Sequence, residues 1–265
     1  MTARIDPRLR QRRIAVRRAE GRRRLRILVI AIAVAAVVGG AYALTRSALL
    51  DLDQVEVNGV VGTQAAEVTT ATGLELGAPL LDLDLDAASE AVTDLPWVLS
   101  AEVSRSWPGT VTVDIVRRTP VAVLPTGDGG GVVIDEEGVA IARTVNTLGE
   151  LPVITVTASG GLGEVQDFAL PAIPVVQSVP ADLDPWIETF GIAYDGGENG
   201  ELVLDLVGTA VAELGLGTDI EAKLDALRAV LGRVDRTCIA VIDVRIAELP
   251  LVQRDPQCED AAPTS

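Results

Sequence analysis

From Ile27 to Thr45 the chain reads ILVIAIAVAAVVGGAYALT, 19 residues without a charge, with Arg22, Arg23, Arg24 and Arg26 before it and Arg46 after it. As a helix rising about 1.5 Å per residue this run reaches about 28 Å, close to the ~30 Å hydrocarbon thickness of a bilayer. The stretch therefore predicts one transmembrane helix over 27–45. Arginine excess on the short N-terminal flank predicts a cytoplasmic arm, 1–26, and everything after Arg46 on the far side of the plasma membrane. Ala41-Tyr42-Ala43 has the look of a signal-peptidase site. A basic arm of 26 residues is nevertheless long for a signal peptide, and the apolar run is too long for its hydrophobic region, so an uncleaved anchor is the preferred reading.

Charge divides the chain at the same place. Residues 1–26 hold 11 arginines and only two acids, Asp6 and Glu20, whereas the remaining chain has 11 cations among 36 carboxylates. So acidic a body offers nucleic-acid phosphates no clustered cations, and no nucleic-acid partner is expected. The arm reads as a disordered topological signal with anionic lipid headgroups within reach. There is no histidine, which removes Ser-His and Cys-His nucleophile pairs and imidazole-ligated metals. Catalysis would have to rest on carboxylates, hydroxyls, arginine or the single lysine, Lys223, which its helical context places at the surface.

Past the anchor, polar and apolar residues alternate over Gln54–Asn58, as in a short strand. A helix-like stretch runs from Gln64 to Ala71, and a second, with Leu85, Ala88, Val92 and Leu95 on one stripe, stops before Pro96. Two strands follow around a Trp107-Pro108-Gly109 turn. Leu99, Ala101 and Val103 share a face of the first, and Val111, Val113 and Ile115 share a face of the second. The order is β-α-α-β-β, and Trp107 and Pro108 are expected to form a hairpin corner packed on the sheet, in preference to a direct binding role.

From Val121 the pattern is mainly β. Strands are predicted at Val121–Leu124, Gly131–Ile134 and Val139–Ala142, then at 187–194, Glu201–Leu206 and Ala210–Leu214, with a short helix in the Gly- and Pro-rich stretch between Ala169 and Val179. Thr218-Asp219-Ile220-Glu221 has the form of a capping box. Ile220, Leu224, Leu227, Leu231 and Val234 make one apolar stripe behind it, so a helix is predicted over Asp219–Arg233. A last strand is predicted over Ile239–Ile246.

Two constellations carry less than they promise. Asp82-x-Asp84-x-Asp86 has leucines between its acids and lacks the glycine and the terminal glutamate of a calcium loop, so no metal is expected there. Thr126-Gly127-Asp128-Gly129-Gly130 precedes neither Lys-Ser/Thr nor a helix, and reads as a hairpin turn rather than a phosphate loop. No cofactor, metal or small-molecule substrate is expected.

Val55-x-Val57-x-Gly59, Leu80-Leu81, Leu95-Pro96-x-Val98, Ala101-x-Val103-x-Arg105-x-Trp107-Pro108 and Val113-x-Ile115-Val116-Arg117-Arg118-Thr119-Pro120-Val121-Ala122 follow one another after a single anchor. In that order they resemble a POTRA domain and, more specifically, the FtsQ/DivIB family of bacterial cell-division proteins, of the actinobacterial type. That family usually has an acid where Arg117 stands. Val132 to Ala140, Glu150-Leu151-Pro152-Val153-Ile154, Gly215-x-Gly217 ahead of Lys223-Leu224, and Ile242-Asp243-Val244-Arg245 resemble its second domain. The resemblance implies an α+β chain with a POTRA domain at 50–120, a mainly β domain with a long C-terminal helix and a final strand at 121–253, and a tail at 254–265. It also implies a non-enzymatic scaffold at the division septum, with FtsB-type and FtsL-type partners and septal transglycosylase/transpeptidase nearby. The competing class is an anchored extracytoplasmic enzyme that acts on envelope polymer through carboxylates.

Two site expectations complete the reading. In an oxidising compartment Cys238 and Cys258 would form a disulfide whose loop closure contributes about 3 kcal/mol, the alternative being two free thiols. The predicted last strand would leave an unpaired edge, and Ile246, Ala247, Leu249, Leu251 and Val252 are oddly apolar for a free tail. This segment is the expected partner site, by strand addition as the resemblance implies; the alternative is that it folds back on its own domain.

Overall fold

The computed structural model describes residues 7–45, 50–145, 151–193, 200–234 and 238–256, with side-chain detail in the first helix from Arg24 to Ala43. The chain divides into two compact units, Met1–Ser89 with Glu102–Asp114, and Glu90–Ala101 with Ile115–Ser265.

Helix α1 runs unbroken over Pro7–Thr45. Its segment Arg24–Ala43, with mean hydropathy 2.2 and no residue buried, is long and apolar enough to cross a membrane. The expected disorder of the arm is thus corrected, because most of it is helical. Arginine is a good helix former, Pro7 suits a first helical position, and the apolar helix that follows has already met the cost of nucleation.

After α1 come β1 (Gln54–Asn58), α2 (Thr63–Ala71), α3 (Leu85–Thr93), β2 (Val98–Ser106) and β3 (Thr110–Arg117), the predicted order. The sheet order is β1-β3-β2, with β1 parallel to β3. Leu52, Val68, Leu80, Ala88, Val111 and Val113 are buried, so the predicted inner face of β3 points inward. Asp84 of the rejected metal motif caps α3, its Oδ1 accepting the Ala87 N–H at 3.1 Å. Gly109 is required where it stands: its carbonyl accepts the Asp53 N–H, and a Cβ there would lie 2.9 Å from the Asp51 carbonyl. Trp107 corrects the expectation of a packed corner, for its side chain is 55% exposed.

The second region starts with β4 (Pro120–Pro125), β5 (Gly131–Asp135) and β6 (Ala140–Thr144), an antiparallel set in the order β4-β5-β6. The Gly-rich turn between β4 and β5 is held by Asp128, whose carboxylate accepts from Thr126 and from the Gly130 N–H. A 3-10 turn over Asp167–Ala172 leads into α4 (Ile173–Ser178), and then β7 (Ile187–Ala193), β8 (Glu201–Leu206), β9 (Val211–Gly215), α5 (Ile220–Leu231), β10 (Ile239–Asp243) and β11 (Leu251–Arg254) complete the fold. The last five strands form a sheet in the order β11-β10-β9-β8-β7, antiparallel except for β9 and β10, which run parallel and are joined through α5.

The two sheets of this region are continuous. Segment 152–155 lies parallel to both β4 and β7: Val123 N–H donates to Pro152 and Ile154 N–H to Val123, while Phe190 N–H donates to Val153 and Thr155 N–H to Phe190, all at 2.8–2.9 Å. Leu202, Leu204 and Leu206 of β8 alternate inward toward Leu224 and Leu227 of α5 in one core.

Four expectations about this half change. The capping box does not form. Asp219 is the N-cap in a left-handed conformation (φ 53°) with no side-chain cap bond, and helix bonding starts from its carbonyl to the Lys223 N–H. Asp tolerates that conformation, and it turns the chain so that Thr218 is not the capping residue. Lys223 is not a surface residue: it is 5% exposed and its Nζ donates to the Leu216 carbonyl at 2.8 Å. Its long apolar stem lies at the margin of the buried stripe and carries the ammonium to the turn before α5. The strand predicted over Ile239–Ile246 stops at Asp243. Finally, β10 is not an unpaired edge, because β11 lies antiparallel along it and takes the end position in the sheet.

Candidate partner-binding surface

The end of the second sheet is built by three devices. The first is register. Asp243 pairs with Leu251, Ile242 with Val252, Val241 with Gln253 and Ile239 with Arg254, with an irregularity between Ile239 and Val241. Pro250 stands one residue before β11, where its missing N–H interrupts no ladder bond.

The second is a clamp on the turn that brings the chain back. Val244 is buried, and its N–H donates to Glu213 at 2.9 Å, carrying the β9–β10 pairing one residue past β10. Arg245 then folds over Asp243. Its Nε donates to both carboxylate oxygens at 3.1 Å, its Nη2 to Oδ2 at 2.7 Å and its own N–H to Oδ1 at 3.0 Å. Glu213 lies 3.7 Å from the same guanidinium. The Arg245 hydrogen bonds hold the Asp243 carboxyl below its ordinary pKa against the opposing effect of burial, and the Arg245 guanidinium is raised, first by its hydrogen bond to Asp243. Gly215, at φ 68°, is what lets Arg245 lie there: a Cβ would sit 2.9 Å from Arg245 Cγ.

The third is closure at the far end of the strand pair, where the Asp255 N–H donates to the Cys238 carbonyl at 2.9 Å. Cys238 is disulfide-bonded. Cys258 lies outside the described residues.

These devices sort the five expected partner-site residues. Val252 is half-buried and packs on the core, and Ala247 is half-buried in the turn. Ile246, Leu249 and Leu251 are 60%, 69% and 66% exposed. The fold-back alternative and the edge expectation thus meet in one object, since the segment does return to its own sheet and thereby presents its own edge with three exposed aliphatic residues. Among the described strands β11 pairs only with β10.

Sequence pattern alone does not give Arg245 its role in shaping this end, for which the Asp243-x-Arg245 spacing, with Gly215 as its necessary neighbour, is the available signal. Among the described residues, Asp243 and Glu213 lie at the Arg245 guanidinium, and Asp135 and Glu137 at that of Arg118.

Residues 50–118 match the family described as POTRA domain, FtsQ-type, and residues 122–245 match Cell division protein FtsQ/DivIB, C-terminal. The Cell division protein FtsQ of Streptomyces collinus is 30% identical over 229 residues, 82% of this chain and 84% of that protein. The chain belongs to the FtsQ/DivIB family of cell division proteins. The FtsQ of Corynebacterium glutamicum is 35% identical over 134 residues, 50% of this chain and 57% of that protein, and the FtsQ of an Anaeromyxobacter species is 30% identical over 230 residues, 82% and 77%. The C-terminal family match ends at Arg245, the clamp residue, so the turn and β11 lie just beyond it.

Proposed function

We propose that this FtsQ/DivIB chain is a non-enzymatic scaffold of the septal division machinery that captures an extended segment of a membrane-anchored, FtsB-type partner along β11. That partner is itself complexed with an FtsL-type protein, and through the pair the scaffold serves septal peptidoglycan synthesis by transglycosylase/transpeptidase enzymes. Residues 1–26 stand in the cytoplasm, 27–45 cross the plasma membrane, and the POTRA domain (50–120), β domain (121–253) and tail (254–265) lie outside. The observation that carries the reading is β11 itself, an edge strand held in register from behind by β10 and the Arg245 clamp, with Leu251 exposed on it and Leu249 exposed just before it. Main-chain bonding to such an edge supplies affinity, and the aliphatic side chains supply selectivity. Cys238 pairs with Cys258 in this reading, tying the tail to the strand pair.

Leu251→Glu tests it. The side chain is exposed, so the variant should insert and melt like the parent while losing recovery of the partner pair. Undiminished recovery at an unchanged melting temperature would remove β11 from the binding account. Protease added to intact spheroplasts should digest the external domains and spare the arm, and a protected C-terminal bulk would overturn the topology.

A further inference from the structure

We propose that the four arginines at the N-terminal end of the apolar span, Arg22, Arg23, Arg24 and Arg26, collect phosphate-bearing anionic phospholipids around the helix. The inference rests on the reading that α1 crosses the membrane. What carries it is the continuity of the helix through this boundary. Successive residues of an α-helix are about 100° apart, so positions 22, 23 and 24 divide its circumference into three, and 26 adds a fourth within the next turn. Arg24 and Arg26 are exposed at the first positions of the span, where a long side chain reaches the headgroup layer. A guanidinium there offers a planar fork matched to a phosphate diester.

Distance separates these four from the rest of the arm. Along a continuous helix, Arg18 to Arg8 stand about 9 to 24 Å beyond Arg24. At physiological ionic strength the field of the headgroups decays over about 8 Å. Topology needs only an excess of cations on the flank. A girdle at the boundary does something more, because it gives each side of the helix a reason to prefer an anionic neighbour.

The test uses the full chain reconstituted in phosphatidylcholine vesicles with spin-labelled phosphatidylglycerol or spin-labelled phosphatidylcholine as probe. Phosphatidylglycerol should associate with the inserted chain at least about threefold more strongly than phosphatidylcholine. The preference should fall with added salt. R22Q/R23Q/R24Q/R26Q should bring it close to one, whereas R8Q/R10Q/R12Q/R13Q should leave it. Lysine at the same four positions should preserve most of it while insertion is maintained. Equal association of both lipids with an inserted parent chain overturns the proposal, as does a preference carried by the distal set. A preference abolished by inorganic phosphate at constant ionic strength, or by duplex DNA that captures the arm, assigns the arginines to a soluble polyanion and overturns it too. A chain extracted by alkaline carbonate fails the spanning reading itself, a result distinct from any of these.

Discussion

The Arg118 guanidinium donates to the buried Asp135 carboxylate at 2.6 Å and to Glu137 at 2.9 Å. Asp135 uses its other oxygen to accept the N–H groups of Glu137 and Val139 at 3.0 and 2.8 Å, so one carboxylate closes the β5–β6 turn and anchors the residue that leads into β4. Backbone reinforces this, since the Arg118 N–H donates to Trp97 at 3.0 Å. Burial acts to lower the Arg118 pKa, but the hydrogen bonds and charges of Asp135 and Glu137 outweigh it and leave the guanidinium raised.

The two carboxylates should therefore differ sharply on mutation. Asp135→Ala takes one of two carboxylate partners from the half-buried Arg118 and leaves two turn N–H groups unpaired, a loss of about 2–3 kcal/mol. Glu137 is largely exposed, and Glu137→Ala should cost less than about 1 kcal/mol. Urea unfolding of the external portion, anchored or cut free of the membrane, measures both; equal midpoints for the two variants would contradict the assignment.

Asp243 supplies the acid dependence. Its folded pKa is depressed, first by the Arg245 hydrogen bonds. A depressed carboxyl contributes stability that is full above its unfolded pKa of about 3.9 and is lost as pH falls through the lower folded value. Arg245→Gln should leave the melting temperature less sensitive to acidification from pH 5 to pH 2.5 than in the parent, and the Asp243 carboxyl, followed by NMR, should titrate at higher pH.

Gly215→Ala tests the space beneath the clamp. A side chain at φ 68° that also meets Arg245 Cγ should cost about 1–3 kcal/mol. The same variant should raise the Asp243 titration midpoint, a readout that strain elsewhere in β9 would not move.

Lys223→Met keeps the length and volume of a buried stem and removes an ammonium whose hydrogen bond is to a single carbonyl, that of Leu216. Stability should change by less than about 1.5 kcal/mol, in either direction. Lys223→Asp should cost at least about 3 kcal/mol, because it shortens the stem and buries an opposite charge. Chemical denaturation at pH 7 distinguishes the pair.

How much of this was legible can be followed along the chain. Glu201–Leu206 alternates inward and outward residue by residue, as read, because a half-buried strand has a period of two that any window shows. The α5 stripe was equally visible. The end of β10 is not: Val244 and Ile246 continue the apolar alternation past Asp243, and the Arg245–Asp243 bonds, a tertiary matter of where Gly215 leaves room, turn the chain there together with the Leu249 N–H bond to the Ile246 carbonyl. β11 has four residues, too few for a period, and Pro250 in front of it lacks a ladder donor. Periodicity reports the direction of the Lys223 side chain but not how far it extends along a buried face. The edge prediction failed in its occupant for the same reason, since pairing between strands is not a local property.

The ladder that runs from β6 through 152–155 to β11 has a mechanical consequence. Tension applied to β11 along its own axis strains its bonds to β10 together, in shear, while tension applied across one end opens them singly, like a zip. Asp243 and Leu251 lie at one end of that seam, beside the Arg245 clamp, and Ile239 and Arg254 at the other, beside Cys238. Each end at which peeling could begin therefore has its own fastening, an ion pair at one and the Asp255 N–H bond to the Cys238 carbonyl at the other. A pull along β11 is thus resisted by the whole seam at once.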